Sequence, residues 1–500
     1  MRKLIYQSGL LALLALLCSL SLAQTPDTQD DYRRLIETAR QNSKLMENLE
    51  YLCDVIGARL TGSKALKQAN EWAADKMREY GLENVRLEEW TIPIGWERGR
   101  LEAKMLAPRE MNLQMASVAW TPGTRGAVTG PVVIFDPLPD NSDLERFKGK
   151  LKNAILLTSA PSRVNHHPSR SQGSDAWNRR IGGGMHAHPD HDEEEMTEEQ
   201  RRMNRAREEF LKKEGAAALL SDAGRPQMLL FMYGGWRQDG SQAPLPTLVV
   251  TNEHYGMLYR LVKRNIPVTM RLNVENRFIK GPIKVYNTVG EIPGTEKPDE
   301  LVICGAHLDS WDLGNGTVDN GTGSMVVLEA ARLIKLCGLK PKRTIRFVLF
   351  SGEEQGLHGA REHVKQNKAQ MEKVSAVFVN DTGTGKTIGL GLHNNPQVQP
   401  VFENELPVLK ELGVTRYNNG FMASTDHHAF YEDRVPAFYM VQDPADYFLS
   451  WHTQTDTFDK ALKDDLIQCT TVMAVCAYFV AQRPEMLPRR AAQGGSSPGR

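Results

Sequence analysis

His307, Asp319, Asp381, His452 and the adjacent pair Glu353-Glu354 are the residues of this 500-residue chain whose types and positions could do chemistry together. Each offers an oxygen or nitrogen donor. Two imidazoles, two aspartates and one glutamate make a set of five that suits a borderline metal ion such as zinc. If Asp319 bridges two ions, each gains one His and one further carboxylate and keeps an open position for water. A metal pair of that kind activates water and polarises a carbonyl, which is the chemistry of hydrolysis.

The elements that must position these donors are short apolar runs. Residues 301–304, 344–350 and 374–379 read as buried strands of a parallel sheet, ending respectively near His307, at Ser351-Gly352-Glu353-Glu354 and at Asn380-Asp381. A fourth run, 435–442, precedes Trp451-His452. Parallel strands put their C-terminal ends on one edge, where open α/β folds hold ligands. After His307 the chain turns Gly-rich through Gly314, Gly316, Gly321 and Gly323, and residues 325–336 then show helical periodicity. The expected fold class is therefore α/β, a mixed and mostly parallel sheet flanked by helices.

The segments that carry the donors resemble a known family. HLDSWD, GTVDNGTGS, SGEEQGLHGA, NDTGTG and HTQTDT are similar, in order, to the motifs of the dizinc exopeptidases of metallopeptidase family 28, and are nearest to its carboxypeptidase branch. The resemblance implies two zinc ions per chain, with His307 and Asp381 on one, Glu354 and His452 on the other, and Asp319 bridging. It implies that Glu353 is the general base and that Asp309 orients His307 through its second ring nitrogen. It also implies an inserted, β-rich protease-associated domain, whose motifs residues 149–155 and 214–218 resemble. A homodimer is a family expectation.

Taken in order, the chain opens with Arg2 and Lys3, an apolar run over 10–20 and Ser21-Leu22-Ala23, the pattern of a cleaved secretory signal with Gln24 as mature start. Residues 31–52 read as a helix with Leu35, Ala39, Leu45, Leu49 and Leu52 inward, and a second helix starts at Ser63. Strands over 85–94 and 99–106 are expected to extend the same sheet at one edge. From 118 to 278 the pattern changes to short strands at 132–135, 154–158, 217–220, 248–251 and 268–272. The layout is a signal peptide over 1–23, a discontinuous peptidase domain over 24–117 and 279–485, an insert over 118–278, and a disordered tail over 486–500. Within the insert, 165–213 reads as a mobile loop rich in His and acidic residues, including HAHPDH, with a solvated role favoured over a metal site. The insert reads either as a cover over the active-site edge or as a spacer.

Composition is ordinary for a globular protein, 41% apolar and 24% charged, with 61 basic and 61 acidic residues. So balanced a chain carries no electrostatic case for nucleic acid, and no stable membrane insertion is expected once the signal is removed. Cys53, Cys304, Cys337, Cys469 and Cys476 follow no framework spacing and read as small buried hydrophobes.

The expected function is that of an exported enzyme, periplasmic or extracellular, hydrolysing short peptides as an aminopeptidase or dipeptidase. The alternatives are a carboxypeptidase of the same fold, an inactive receptor-type relative, and a single-zinc glutaminyl cyclase. Asp426 and His427, in NNGFMASTDHHAFY, are candidate substrate contacts, and Tyr447 a candidate donor to the oxyanion. An aminopeptidase needs a carboxylate for the substrate ammonium, whereas a carboxypeptidase needs a cation for its carboxylate. Asp426 on one side and Arg416 and Lys386 on the other leave that choice open.

Overall fold

The computed structural model describes residues 26–164 and 197–491. The leader over 1–23, most of the His- and acid-rich loop, and the last residues of the tail lie outside the described residues. The strands form two eight-stranded sheets.

The first sheet runs, in spatial order, Glu83–Glu97, Arg277–Ile292, Arg343–Phe350, Lys297–His307, Val374–Val379, Ala437–Gln442, Thr387–Gly391 and Arg416–Asn418. Four consecutive strands are mutually parallel: His307 lies opposite Phe350, Gly305 opposite Val379, and Val379 opposite Tyr439. Their C-terminal ends thus share one edge. Alternation along a strand sends Val302, Cys304 and Ala306 into one core and Leu301 and Ile303 into another. Helices Thr322–Leu336 and Lys463–Gln482 fill the first core, while Val348, Phe350, Val377 and Phe430 help fill the second. Burial on both faces is why these strands read as continuous apolar runs. Helix Lys463–Gln482 is long and apolar enough to cross a membrane, but 83% of its apolar window is buried inside the protein, the mark here of a core helix.

The second sheet runs Met111–Asn112, Leu101–Ala107, Thr269–Val274, Val128–Ile134, Ile155–Leu157, Ala218–Asp222, Thr247–Val250 and Met115–Ser117. Helix Asn252–Lys263 covers it through Tyr255 and Leu258, and helix Glu198–Glu214 starts at a capping box on Thr197 and Gln200.

Three expectations are corrected. The strand expected over 99–106 does not extend the first sheet; Leu101–Ala107 pairs with Thr269–Val274 in the second. The second sheet therefore takes up the chain well before residue 118, and the first recovers it at Arg277, opposite Glu97. The crossing falls at Gly99, where an added Cβ would come 2.1 Å from the Glu275 carbonyl. The helix expected over 31–52 is interrupted: Pro26–Asn42 ends where the Ser43 hydroxyl accepts from Leu45 N–H and Glu329 accepts from Lys44 N–H, and Leu45–Glu50 follows. Over its described residues, 486–491, the tail is docked on the protein rather than disordered. Leu487 is buried, and Arg489 donates to the carbonyls of Met371, Glu372 and Val374. The five described cysteines are free and buried.

Candidate metal centre

His307 is the last residue of its strand, and the other donors follow the ends of neighbouring strands, so the topology gathers them on one edge. Fixing them takes a buried scaffold. The Arg59 side chain, fully buried, donates to the carbonyls of Leu308 (2.7 Å), Gly57 (2.9 Å), Asn315 (2.9 Å) and Gly316 (2.6 Å), which shapes the loop after His307. Gly316 has φ +61°, and an added Cβ would meet Ser310 at 2.3 Å, so the loop requires glycine there.

Two groups of donors result, His307 with Asp319 and Asp381, and Asp319 with Glu354 and His452, each with its ligand atoms within 4.8 Å of one another. His307 Nε2 lies 3.1 Å from Asp381 Oδ1 and 3.3 Å from Asp319 Oδ1. His452 Nε2 lies 3.0 Å from Glu354 Oε2 and 3.2 Å from Asp319 Oδ2. The two oxygens of Asp319 thus face different imidazoles. Glu353 Oε2 stands slightly back, 3.9 Å from His307 Nε2.

The second ring nitrogen of His307 meets the Asp309 main-chain carbonyl at 3.0 Å, while the carboxylate stands 3.7 Å off. That carboxylate instead accepts from the N–H groups of Glu353 and Glu354, both at 3.3 Å, and from the Thr61 hydroxyl at 3.0 Å. Asp309 therefore ties the His307 strand to the turn carrying the glutamates.

The electrostatics suit a cation. Burial and the Asp319 charge push Glu354 up to about 8, against the pull of His452. Burial alone would lower His452, but Glu354 and Asp319 carry it up to about 9. Burial likewise raises Glu353 and Asp381. So many buried carboxylates around two imidazoles call for positive charge, which a divalent ion can supply. Glu354 Oε1, buried and without a hydrogen-bond partner, offers a lone pair for it. Donor chemistry and geometry thus fit zinc.

Of the candidate substrate contacts, Asp426 is fully buried with both oxygens unpartnered, and burial with the charges of Asp381 and Asp309 raises it, opposed by His307. His427 faces elsewhere, its ring against His393 (4.4 Å between centroids) and Tyr439 (5.3 Å). Tyr447 is buried against Gly383, and burial with the nearby charges of Asp319, Asp381, Glu354 and Glu353 raises its hydroxyl well above the ordinary range. Lys386 is exposed, 3.7 Å from Asp465, and Arg416 lies on the outermost strand.

Two further contributors escaped the sequence reading. Asp456 accepts from the N–H groups of Val318 (2.6 Å) and Asp319 (3.2 Å); its place four residues after His452 in the HTQTD stretch was the available signal. The second sheet also reaches the centre: Met232 O meets His452 Nδ1 at 3.1 Å, and the Phe231 ring stacks on that of His452 at 5.3 Å. No local pattern marks these two.

A model of peptidase family M28 matches residues 287–477. Carboxypeptidase Q of Mus musculus is 30% identical over 453 residues, covering 90% of this chain and 88% of the mouse protein, and that of Xenopus laevis is 29% identical over 454 residues, covering 90% and 88%. The crystal structure of a peptidase M28 precursor from Shewanella amazonensis superposes with a TM-score of 0.72 at 26% identity, over 93% of this chain and 99% of the other. A zinc aminopeptidase from Bacillus subtilis shares the fold, with a TM-score of 0.60 at 19% identity over 88% and 95%.

Fold and site together define a metal-dependent peptidase. The chain belongs to peptidase family M28 and is a zinc metallo-exopeptidase, similar over most of its length to carboxypeptidase Q.

Proposed function

We propose that this enzyme binds two zinc ions and removes single residues from short peptides that carry a free α-amine, as an aminopeptidase or dipeptidase. The observation that carries the reading is Asp319, whose two oxygens face His307 and His452 separately. His307 and Asp381 would hold one ion, Glu354 and His452 the other, with Asp319 between them. When bound, the ions supply Lewis acidity toward a carbonyl and make water nucleophilic near neutral pH.

The chain's own groups do the rest. Glu353 takes the proton of the attacking water and returns it to the leaving amine. Asp309 holds the Glu353 main chain in place for that transfer. The Tyr447 phenol, kept protonated by burial and by the carboxylates around it, donates to the developing oxyanion. Asp426, once ionised beside a bound cation, is the carboxylate for the substrate's ammonium. His427, turned toward His393, serves as wall. The guanidinium of Arg59 spends its donors on carbonyls, so it does not offer a carboxylate clamp. Export follows from the leader pattern over 1–23, and a mature N-terminus at Gln24 would bear it out.

Zinc stoichiometry, with hydrolysis of a free dipeptide, its N-blocked form and its C-amidated form, tests this reading. Two zinc per chain and failure on the N-blocked substrate are expected. Cleavage of the N-blocked substrate would move the assignment to carboxypeptidase, and no cleavage by zinc-loaded protein would overturn it.

A further inference from the structure

Both imidazoles of the metal centre have their second ring nitrogen on a main-chain carbonyl, but the carbonyls come from different places. That of His307 belongs to Asp309, two residues along the same loop. That of His452 belongs to Met232, 220 residues away in the segment between strands of the second sheet. The bond is one half of a clamp, since Met232 N–H donates to the His452 carbonyl at 2.8 Å. Phe231 lies flat on the imidazole, with an interplanar angle of 19°. His452 itself has φ +58°, a conformation that a non-glycine residue keeps only where its surroundings hold it.

The clamp is itself anchored. Leu230 N–H donates to Gln454 Oε1 at 2.9 Å, and Gln454 Nε2 donates to the Met228 carbonyl at 3.1 Å. The Arg225 guanidinium lies over Phe231 at 4.6 Å and over Trp451 at 5.4 Å. Arg98, where the chain passes between sheets, grips Asp312 at 2.7 and 2.8 Å and reaches Met232 Sδ at 3.3 Å. Across the same junction Trp120 meets Trp236 edge-on and Trp236 meets His358 at a tilt, with centroids 5.4 and 4.8 Å apart.

We propose that residues 230–232 are a positioning element of the metal centre, which fixes the ring plane and tautomer of His452 and so makes loading of the His452-side ion depend on docking of the second sheet. A ligating imidazole that donates one N–H to a carbonyl presents the other nitrogen's lone pair to the metal. The His307 side carries its acceptor within its own loop and does not share this dependence. The inference rests on the two-ion reading above.

The test is a zinc titration of apoprotein against a buffered zinc series, with metal per chain read by atomic emission. Wild-type protein is expected to load two ions. In Phe231→Ala one step weakens by roughly 10- to 100-fold, the loss seen for outer-shell partners of a ligand. That step is the one abolished in His452→Ala, and the other step is unchanged. Phe231→Tyr, which keeps the flat ring, restores it, and the apoprotein unfolding temperature stays at the wild-type value. Gln454→Ala, which frees the clamp from its anchor, carries the same expectation and serves if Phe231→Ala fails to fold. Two unchanged steps, or an equal weakening of both with a lower unfolding temperature, would overturn the proposal. Wild-type protein loading a single ion would instead sink the two-ion reading, and the proposal would then stand or fall on whether Phe231→Ala weakens that ion.

Discussion

The carboxylate of Asp456 accepts the main-chain N–H of Asp319 at 3.2 Å, and with it that of Val318 at 2.6 Å. The residue offering one oxygen to each imidazole is thereby pinned from the loop that carries His452. Replacing Asp456 with Ala leaves two buried donors without an acceptor, which costs about 3 kcal/mol of stability. Zinc affinity should fall by roughly 10-fold or more, and Asp456→Asn, which keeps one acceptor oxygen, should lie between. Denaturant unfolding and zinc titration of the three proteins check this; equal zinc affinity in all of them would refute it.

Glu353→Gln should keep both ions and lose turnover by roughly 10²- to 10⁴-fold, the range of a general base. The Glu353 main chain stays on Asp309, so the geometry survives the change. A variant with kcat within a factor of ten of wild type would remove Glu353 from the role of base.

Glu88 and His363, 2.6 Å apart in the interior, set an acid limit on stability away from the active site. Burial alone would raise the Glu88 carboxyl, but the hydrogen bond and charge of His363, with Arg86, hold it down to about 2 from the ordinary 4.5. Between those values the unfolded chain binds more protons than the folded one. The contribution is therefore complete above about pH 4.5 and is lost as pH falls toward 2. Between pH 6 and 3 the wild type should lose on the order of 2 kcal/mol more than Glu88→Gln. Parallel acid profiles for the two proteins would contradict the assignment.

Chelation should abolish hydrolysis and lower the unfolding temperature, since ligands that bind only the folded state stabilise it by about 4 kcal/mol at a thousandfold excess over Kd. Zinc should restore both. Calorimetry before and after metal return reads the effect, and an unfolding temperature indifferent to zinc would count against a buried two-ion centre.

The donors were legible in the sequence because each follows a strand buried on both faces, and such strands announce themselves as unbroken apolar runs. The partner of the strand over 99–106 was not. Residues 99–106 alternate as a strand should, but alternation reports which faces are wet, not which neighbour supplies the hydrogen bonds. For the same reason Met232 escaped notice, since its contribution is a carbonyl that every residue possesses. Asp309 does meet the second ring nitrogen of His307, but residue type says nothing about whether main chain or side chain makes the contact. The tail looked disordered from its composition, but Leu487 and Arg489 dock it on groups that lie more than a hundred residues earlier.

Glu97 and Arg277 stand opposite each other in neighbouring strands with their side chains paired, so the long excursion between them begins and ends at one point on the rim of the first sheet. Closing a loop grows more costly only slowly with its length. Evolution or an engineer can therefore lengthen, shorten or exchange that excursion with little harm to the sheet it leaves. The freedom stops at the junction, where Trp120, Leu230, Met232 and Trp236 share the core of the first sheet. A transplanted module that folds well but sets its carbonyl elsewhere than that of Met232 is expected to yield a well-formed protein with an underloaded centre, a failure invisible to any assay of folding run without zinc.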